Sequence, residues 1–175
     1  MSPQPCLTVR SVVAADVDTV AHLHVAIWRA AYRGLLPDAF LDALSVESRA
    51  TMWRHMVEQG ASPALVAEQA GEIVGFLLGG PAQDADAQPG VTAEIYAIYV
   101  SPDFWGRGVG ARLLQEGLAI LRDQGYREAT LWVLRNNVRA RRFYEAMGFR
   151  VDGGEKVEEH SGVAFDEIRY RAPIA

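Results

Sequence analysis

The chain has 175 residues, half of them hydrophobic, and its 22 acidic against 17 basic residues leave a net charge of −5. That length fits one domain with a substantial core, spanning residues 1–175 with its ordered heart at about 8–171. The negative charge argues against general nucleic-acid binding. The single cysteine, Cys6, excludes an internal disulfide and a cysteine-cluster metal site.

In chain order, residues 1–5 carry neither a basic nor an apolar leader segment, so a cytoplasmic location is the expectation. Residues 7–13 alternate as a first strand, and Asp16 is placed to cap a helix over 17–32 that stops at Gly34 and Pro37. A short helical turn over 38–44 and a helix over 46–59 follow. Residues 64–68 and 73–78 read as a hairpin turned at Ala70-Gly71. The polar stretch 81–90 is a loop, open to motion, between strands. Residues 91–100 form a central strand, 108–123 an apolar-periodic helix, 128–134 a strand and 138–147 a helix ended by Gly148. Two weaker strands, 149–153 and 165–171, close the chain. No apolar run is long enough to span a bilayer.

The most informative segment joins the central strand to the helix after it, through Trp105-Gly106-Arg107-Gly108-Val109-Gly110. Glycines let the backbone approach a ligand closely where a helix begins, and the exposed N–H groups of a first turn favour an anion such as a diphosphate. The spacing is not the G-x-G-x-x-G of a dinucleotide site, and no G-K-S/T follows as in a P-loop. Arg107 and Arg112 add positive charge beside the turn.

At these residues the chain resembles the GCN5-related N-acetyltransferases, the GNAT superfamily. The acetyl-CoA loop of that family, Gln/Arg-x-x-Gly-x-Gly/Ala, matches here except at Trp105, which stands where Gln or Arg is usual. A second block, Asn137-Val-Arg-Ala-Arg-Arg-Phe-Tyr144-Glu-Ala-Met-Gly-Phe149, matches the family's Asn-x-x-Ala…Tyr…Gly-Phe segment. The resemblance and the order of elements imply an α/β fold: a mixed, mostly antiparallel sheet of about six to seven strands, flanked by about four helices.

The resemblance further implies an acetyl-CoA-dependent N-acetyltransferase that transfers the acetyl group directly to a primary amine of a small molecule or peptide. A non-catalytic acyl-CoA-binding module on the same scaffold is the alternative. The cofactor is expected along the main chain of Ile98, Tyr99 and Val100, in the loop formed by Gly106, Arg107, Gly108, Val109, Gly110 and Ala111, and at Asn137. Asn137 reads equally as the N-cap of the helix after it. In the cluster Arg135, Arg139, Arg141 and Arg142, Arg139 and Arg142 are the candidates to face the phosphates, and Arg141 could instead pair with Glu145.

Glu94, alone in an apolar strand, is the candidate general base, because a partly buried carboxylate gains affinity for a proton. Alternation places it on the face of Tyr96, Ile98 and Val100. Tyr144 matches the family tyrosine that faces the CoA sulfur and is the candidate general acid. His24, Trp28 and Tyr32 share a helix face, which either walls the acceptor site or packs on the sheet. Trp28, Tyr32 and Tyr96 are the acceptor-contact candidates. His55 and His160 have no partners at metal-ligand spacing, and no metal is expected. A homodimer is expected through pairing or exchange of the two tail strands.

Overall fold

The computed structural model describes residues 6–174, so the leader reading of residues 1–5 lies outside the described residues. Seven strands form one sheet in the order β1-β2-β3-β4-β5-β7-β6. They are β1 (Leu7–Ser11), β2 (Ala64–Gln69), β3 (Glu72–Pro81), β4 (Thr92–Val100), β5 (Glu128–Leu134), β6 (Arg150–His160) and β7 (Val163–Pro173). The five helices are α1 (Val17–Ala31), α2 (Asp38–Asp42), α3 (Val46–Glu58), α4 (Val109–Asp123) and α5 (Val138–Ala146). This is the expected mixed α/β architecture with one more helix, because the turn after Pro37 closes into α2.

The sheet has a helical layer on each face. Leu113, Leu114 and Leu121 of α4 and Tyr144 of α5 are buried against Leu77, Ile95, Leu131 and Tyr170 on one face. Val20, Ala21 and Ile27 of α1 and Trp53 of α3 bury against Val66, Phe76 and Leu78 on the other. Removing a leucine side chain from water contributes roughly 2 kcal/mol. The amphipathic periodicity of α1 and α4 is therefore what fixes which face each covers.

Two features of β4 shape everything downstream. First, β4 pairs in parallel with β5 only at Thr92↔Glu128, Ala93↔Ala129 and Glu94↔Thr130, and beyond Glu94 the strands part. Second, its antiparallel register with β3 shifts between Leu78 and Gly79, leaving Tyr96 as the extra residue between Ile95 and Ala97. Such a bulge breaks the two-residue alternation. Ile95, Ile98 and Val100 consequently pack with α4, while Tyr96, Ala97 and Tyr99 pack with α1 and α3. Glu94, between Ala93 and Ile95, thus shares its face with Tyr99 and not, as alternation predicted, with Ile98 and Val100.

Three further expectations are corrected. The tail strands are 11 residues each and form a hairpin turned at Ser161-Gly162, where both residues have positive φ. That is the geometry of a tight two-residue turn. β7 also pairs with β5 along the whole of β5, so these strands complete the sheet within the chain. Asp16 makes no side-chain cap to α1; its Oδ2 accepts the Val13 N–H at 2.8 Å and the Arg10 guanidinium at 2.7 Å. The segment between β3 and β4 is not free. Asp84 and Asp86 bind the buried Arg169 of β7 at 3.1 and 2.7 Å, and Asp84 also accepts Trp132 Nε1. Among the described residues no helix is long and apolar enough to cross a membrane.

Candidate active site

Where β4 and β5 part, a cleft of about 930 Å³ opens. Its walls come from β4, the loop leading into α4, α5, and the ends of α1, α3, β5, β6 and β7. Tight side-chain packing rules out an accidental void of this size inside a domain.

The glycine loop forms one end. Gly106 and Gly108 have φ of +72° and +81°, and a Cβ at either would meet nothing within 4 Å. The loop therefore presents bare backbone to open space, at the N-terminus of a 15-residue helix. This suits a diphosphate on conformational and electrostatic grounds. Gly106, Gly108, Val109, Gly110 and Ala111 all line the cleft. Arg107 does not; its guanidinium lies over the Phe104 ring at 5.5 Å. Arg139 lines the cleft and Arg142 does not.

The gap beside β4 is bordered by main-chain groups. Ser101 N–H donates to Val74, which fixes the register so that Ile98 and Val100 turn their N–H and C=O groups away from β3. One of these is engaged: Trp105 Nε1 donates to the Val100 carbonyl at 2.8 Å. The Trp105 ring in turn stacks under the Arg139 guanidinium at 3.3 Å. Trp105 thus has a side-chain role that its departure from the family pattern did not suggest. Asn137 Oδ1 accepts the Ala140 N–H at 3.1 Å, capping α5, and the residue also borders the cleft.

The two candidate proton carriers line the same cleft. Glu94 is half-buried, and burial pushes its carboxyl up, against the counter-effect of the Gln83 N–H that donates to Oε2 at 3.2 Å. Tyr144 is buried, which pushes its phenol up, and its hydroxyl has no hydrogen-bond partner among the described residues. Phe143 packs beside it, so the two neighbours both face inward. Arg141 bonds the Tyr170 hydroxyl at 3.1 Å, and that hydroxyl donates to Glu145 at 2.7 Å, so the expected Arg141–Glu145 pair is bridged by a tyrosine.

The far end is aromatic and mixed in charge. Trp28 and Tyr32 line it, Tyr32 and Tyr99 hydroxyls meet at 3.0 Å, and Tyr96 donates to the Pro81 carbonyl. Tyr99 therefore points its side chain into the acceptor end rather than serving only through its main chain. His24, third member of the helix stripe, is core: burial and, less, Arg49 lower its pKa to about 3, and it accepts Trp53 Nε1 at 3.2 Å. The stripe is thus divided between wall and core.

Sequence reading missed Glu167, Lys156 and Arg49. Glu167 is pushed up by burial although Lys156 lies 3.6 Å away, so the cleft holds a second carboxyl prone to carry a proton. Strand alternation of Phe165, Glu167 and Arg169 opposite the core residues Ile168 and Tyr170 could have flagged it. Among the described residues no group of three or more His, Cys, Asp or Glu is placed to hold a metal.

The fold and the loop together are those of a CoA-dependent acyltransferase. The chain belongs to the acetyltransferase (GNAT) family, whose pattern matches residues 20–149. It is 27% identical over 171 residues to a probable N-acetyltransferase of Mycobacterium tuberculosis, covering 94% of this chain and 92% of that one. It is 30% identical over 135 residues to an N-acetyltransferase of Archaeoglobus fulgidus, covering 77% and 87%. Among solved structures, the PaiA N-acetyltransferase of Thermoplasma acidophilum in complex with coenzyme A superposes with a TM-score of 0.75 at 19% identity, over 96% of this chain and 99% of that one. The YncA acetyltransferase of Salmonella typhimurium with acetyl-CoA gives 0.72 at 20% identity, over 97% and 95%.

Proposed function

We propose that this protein is an acetyl-CoA-dependent N-acetyltransferase that passes the acetyl group directly to a primary amine of a small molecule or peptide within a ternary complex. The observation that carries the reading is the convergence of Glu94, Tyr144 and the bare glycine loop on one cleft. The residues present fit the cofactor. The loop N–H groups and Arg139 would hold the phosphates, and Asn137 with the main chain of Ile98, Tyr99 and Val100 would flank the pantetheine arm in the manner of an added strand. Acetyl-CoA bound there supplies an activated acetyl thioester.

Glu94 is the general base. An acceptor arriving as an ammonium has no lone pair, and a carboxyl raised by burial is closer in proton affinity to its task than an exposed one. Tyr144 is the general acid, giving its proton to the departing sulfur. A phenol with no competing partner is free to make that donation. Cys6 lies outside the cleft, which supports direct transfer over a cysteine-bound acetyl group. A cytoplasmic location and a homodimer paired through the open edge of β6 complete the reading; a monomer by sedimentation at micromolar concentration would remove the dimer.

Release of CoA thiol from acetyl-CoA at pH 8 across amino acids, polyamines, aminoglycosides, aromatic amines and short peptides tests the assignment. Acceptor-dependent release is expected. Tight acetyl-CoA binding with no release by any amine would overturn it.

A further inference from the structure

The acceptor end of the cleft holds a cation that nothing among the described residues neutralises. Arg49 lies in the first turns of α3 and lines the cleft beside Ser45 and Ser48. Arg10, Arg33, Arg135, Arg169 and Arg171 each make ion pairs. Arg49 makes no salt bridge and no hydrogen bond among the described residues; its guanidinium rests over the Trp28 ring at 5.3 Å. A guanidinium keeps its charge in a protein, and a partly buried charge without a partner is costly unless a ligand completes it.

A second polar group in the same place is also unsatisfied. Trp28 Nε1 is the one fully buried side-chain nitrogen or oxygen without a partner among the described residues. Trp28 lines the cleft too, and its ring sits 5.9 Å from Tyr99. That nitrogen is sealed from the cleft, so Arg49 is the donor that a ligand there can reach. The carboxyls of the cleft, Glu94, Glu158 and Glu167, do not reach Arg49, whose only electrostatic neighbour of opposite character is Tyr99. Glu94 and Tyr144 belong to the reacting end.

From this arrangement we infer that the acceptor is an amino acid-like molecule, its carboxylate received by Arg49 while its amine faces Glu94. The inference rests on the transferase reading and deepens it by naming the acceptor class. A carboxylate supplies two oxygens for the guanidinium fork of Arg49 and neutralises its charge. The aromatic walls of Trp28, Tyr32 and Tyr99 suit an apolar body between the two polar ends.

The test compares CoA release with α- and ω-amino acids against release with the carboxamide of each, at pH 8, in the intact protein. The carboxamides carry the more acidic ammonium and so offer more free amine; a preference for the carboxylates then comes from the site. At least one carboxylate is expected to exceed its carboxamide about tenfold or more in kcat/KM, the size of one charge-assisted hydrogen bond. Arg49→Met should collapse that ratio toward one, chiefly through KM, and Arg49→Lys should restore part of it. Melting temperature and acetyl-CoA affinity report folding of the variants. Equal or better turnover of the carboxamides overturns the inference and leaves the transferase standing. If acetyl-CoA binds and no acceptor releases CoA, the transferase reading falls. Calorimetric titration of the same pairs then decides the anion site: carboxylate binding that depends on Arg49 upholds it, and any other result overturns it.

Discussion

The two ends of the cleft are built from different materials. The proposed cofactor end is mostly backbone from one continuous stretch, Ile98 to Ala111, aimed by a strand that has lost its neighbour and a helix that is about to start. The proposed acceptor end is side chains from α1, α3, β4, β5, β6 and β7, drawn from Trp28 to Glu167. Backbone offers the same donors whatever the residue, so the first end tolerates a departure such as Trp105. The second end has no such insurance: each wall residue is a separate choice of size and charge. The proposed catalytic groups sit at the join, with Glu94 on the last residue of β4 that pairs with β5 and Tyr144 on α5.

The sharpest way to break this comparison is at the join. Glu94→Gln keeps the shape and the Gln83 contact but removes the proton acceptor, and kcat should fall by about 10²- to 10³-fold, the usual worth of a positioned base. In wild type, kcat/KM should rise with pH through the raised Glu94 titration, since the base works only ionised, and that limb should vanish in the variant. Loss of less than tenfold would place the base elsewhere, with Glu167 the next to test. Tyr144→Phe comes next, lowering kcat by about 10- to 100-fold with little change in either KM; an unchanged kcat would reduce Tyr144 to packing.

Trp105→Gln probes the backbone end and should have a smaller effect. Freeing the Val100 carbonyl returns one hydrogen bond to an incoming ligand, so the acetyl-CoA KM should drop by about two- to tenfold. A rise instead would make the Trp105–Arg139 stack part of the cofactor grip. The gentlest test lies behind the acceptor wall. His24 has its folded-state pKa depressed to about 3, so the unfolded chain binds the extra proton first. Stability should therefore decline as pH falls below about 6.5, the unfolded value, and go on declining toward 3. His24→Gln, which retains an acceptor for Trp53, should flatten that decline in urea titrations while changing little at pH 8.

The same division explains what could be read from sequence. Gly106 and Gly108, the apolar period of α4 and the Ala70-Gly71 turn are local signals, and all are found in place. The displaced face of Ile98 and Val100 was invisible because the bulge at Tyr96 is set by how β3 pairs at Gly79 on the neighbouring strand. β6 escaped for another reason: as an exposed edge strand interrupted by Gly153-Gly154 and rich in Glu, it lacks the alternating apolar pattern of a half-buried strand. Lys156 and Glu167 reach the cleft only because β6 and β7 bring them level with Leu134 at the end of β5, and Arg49 only because α3 packs across α1. Such convergence is a property of the tertiary fold.

The brevity of the β4–β5 seam has a mechanical side. β5 is fastened to β7 by seven paired residues but to β4 by three. The sheet is therefore two stiff plates joined by a few stitches, with α4 packed on the β1–β4 plate. Amide exchange in the unliganded protein should be quickest along this joint. A molecule wedged between the plates would act as a keystone, and at a hundredfold excess over its Kd it would add about 2.7 kcal/mol to the resistance of the whole arch.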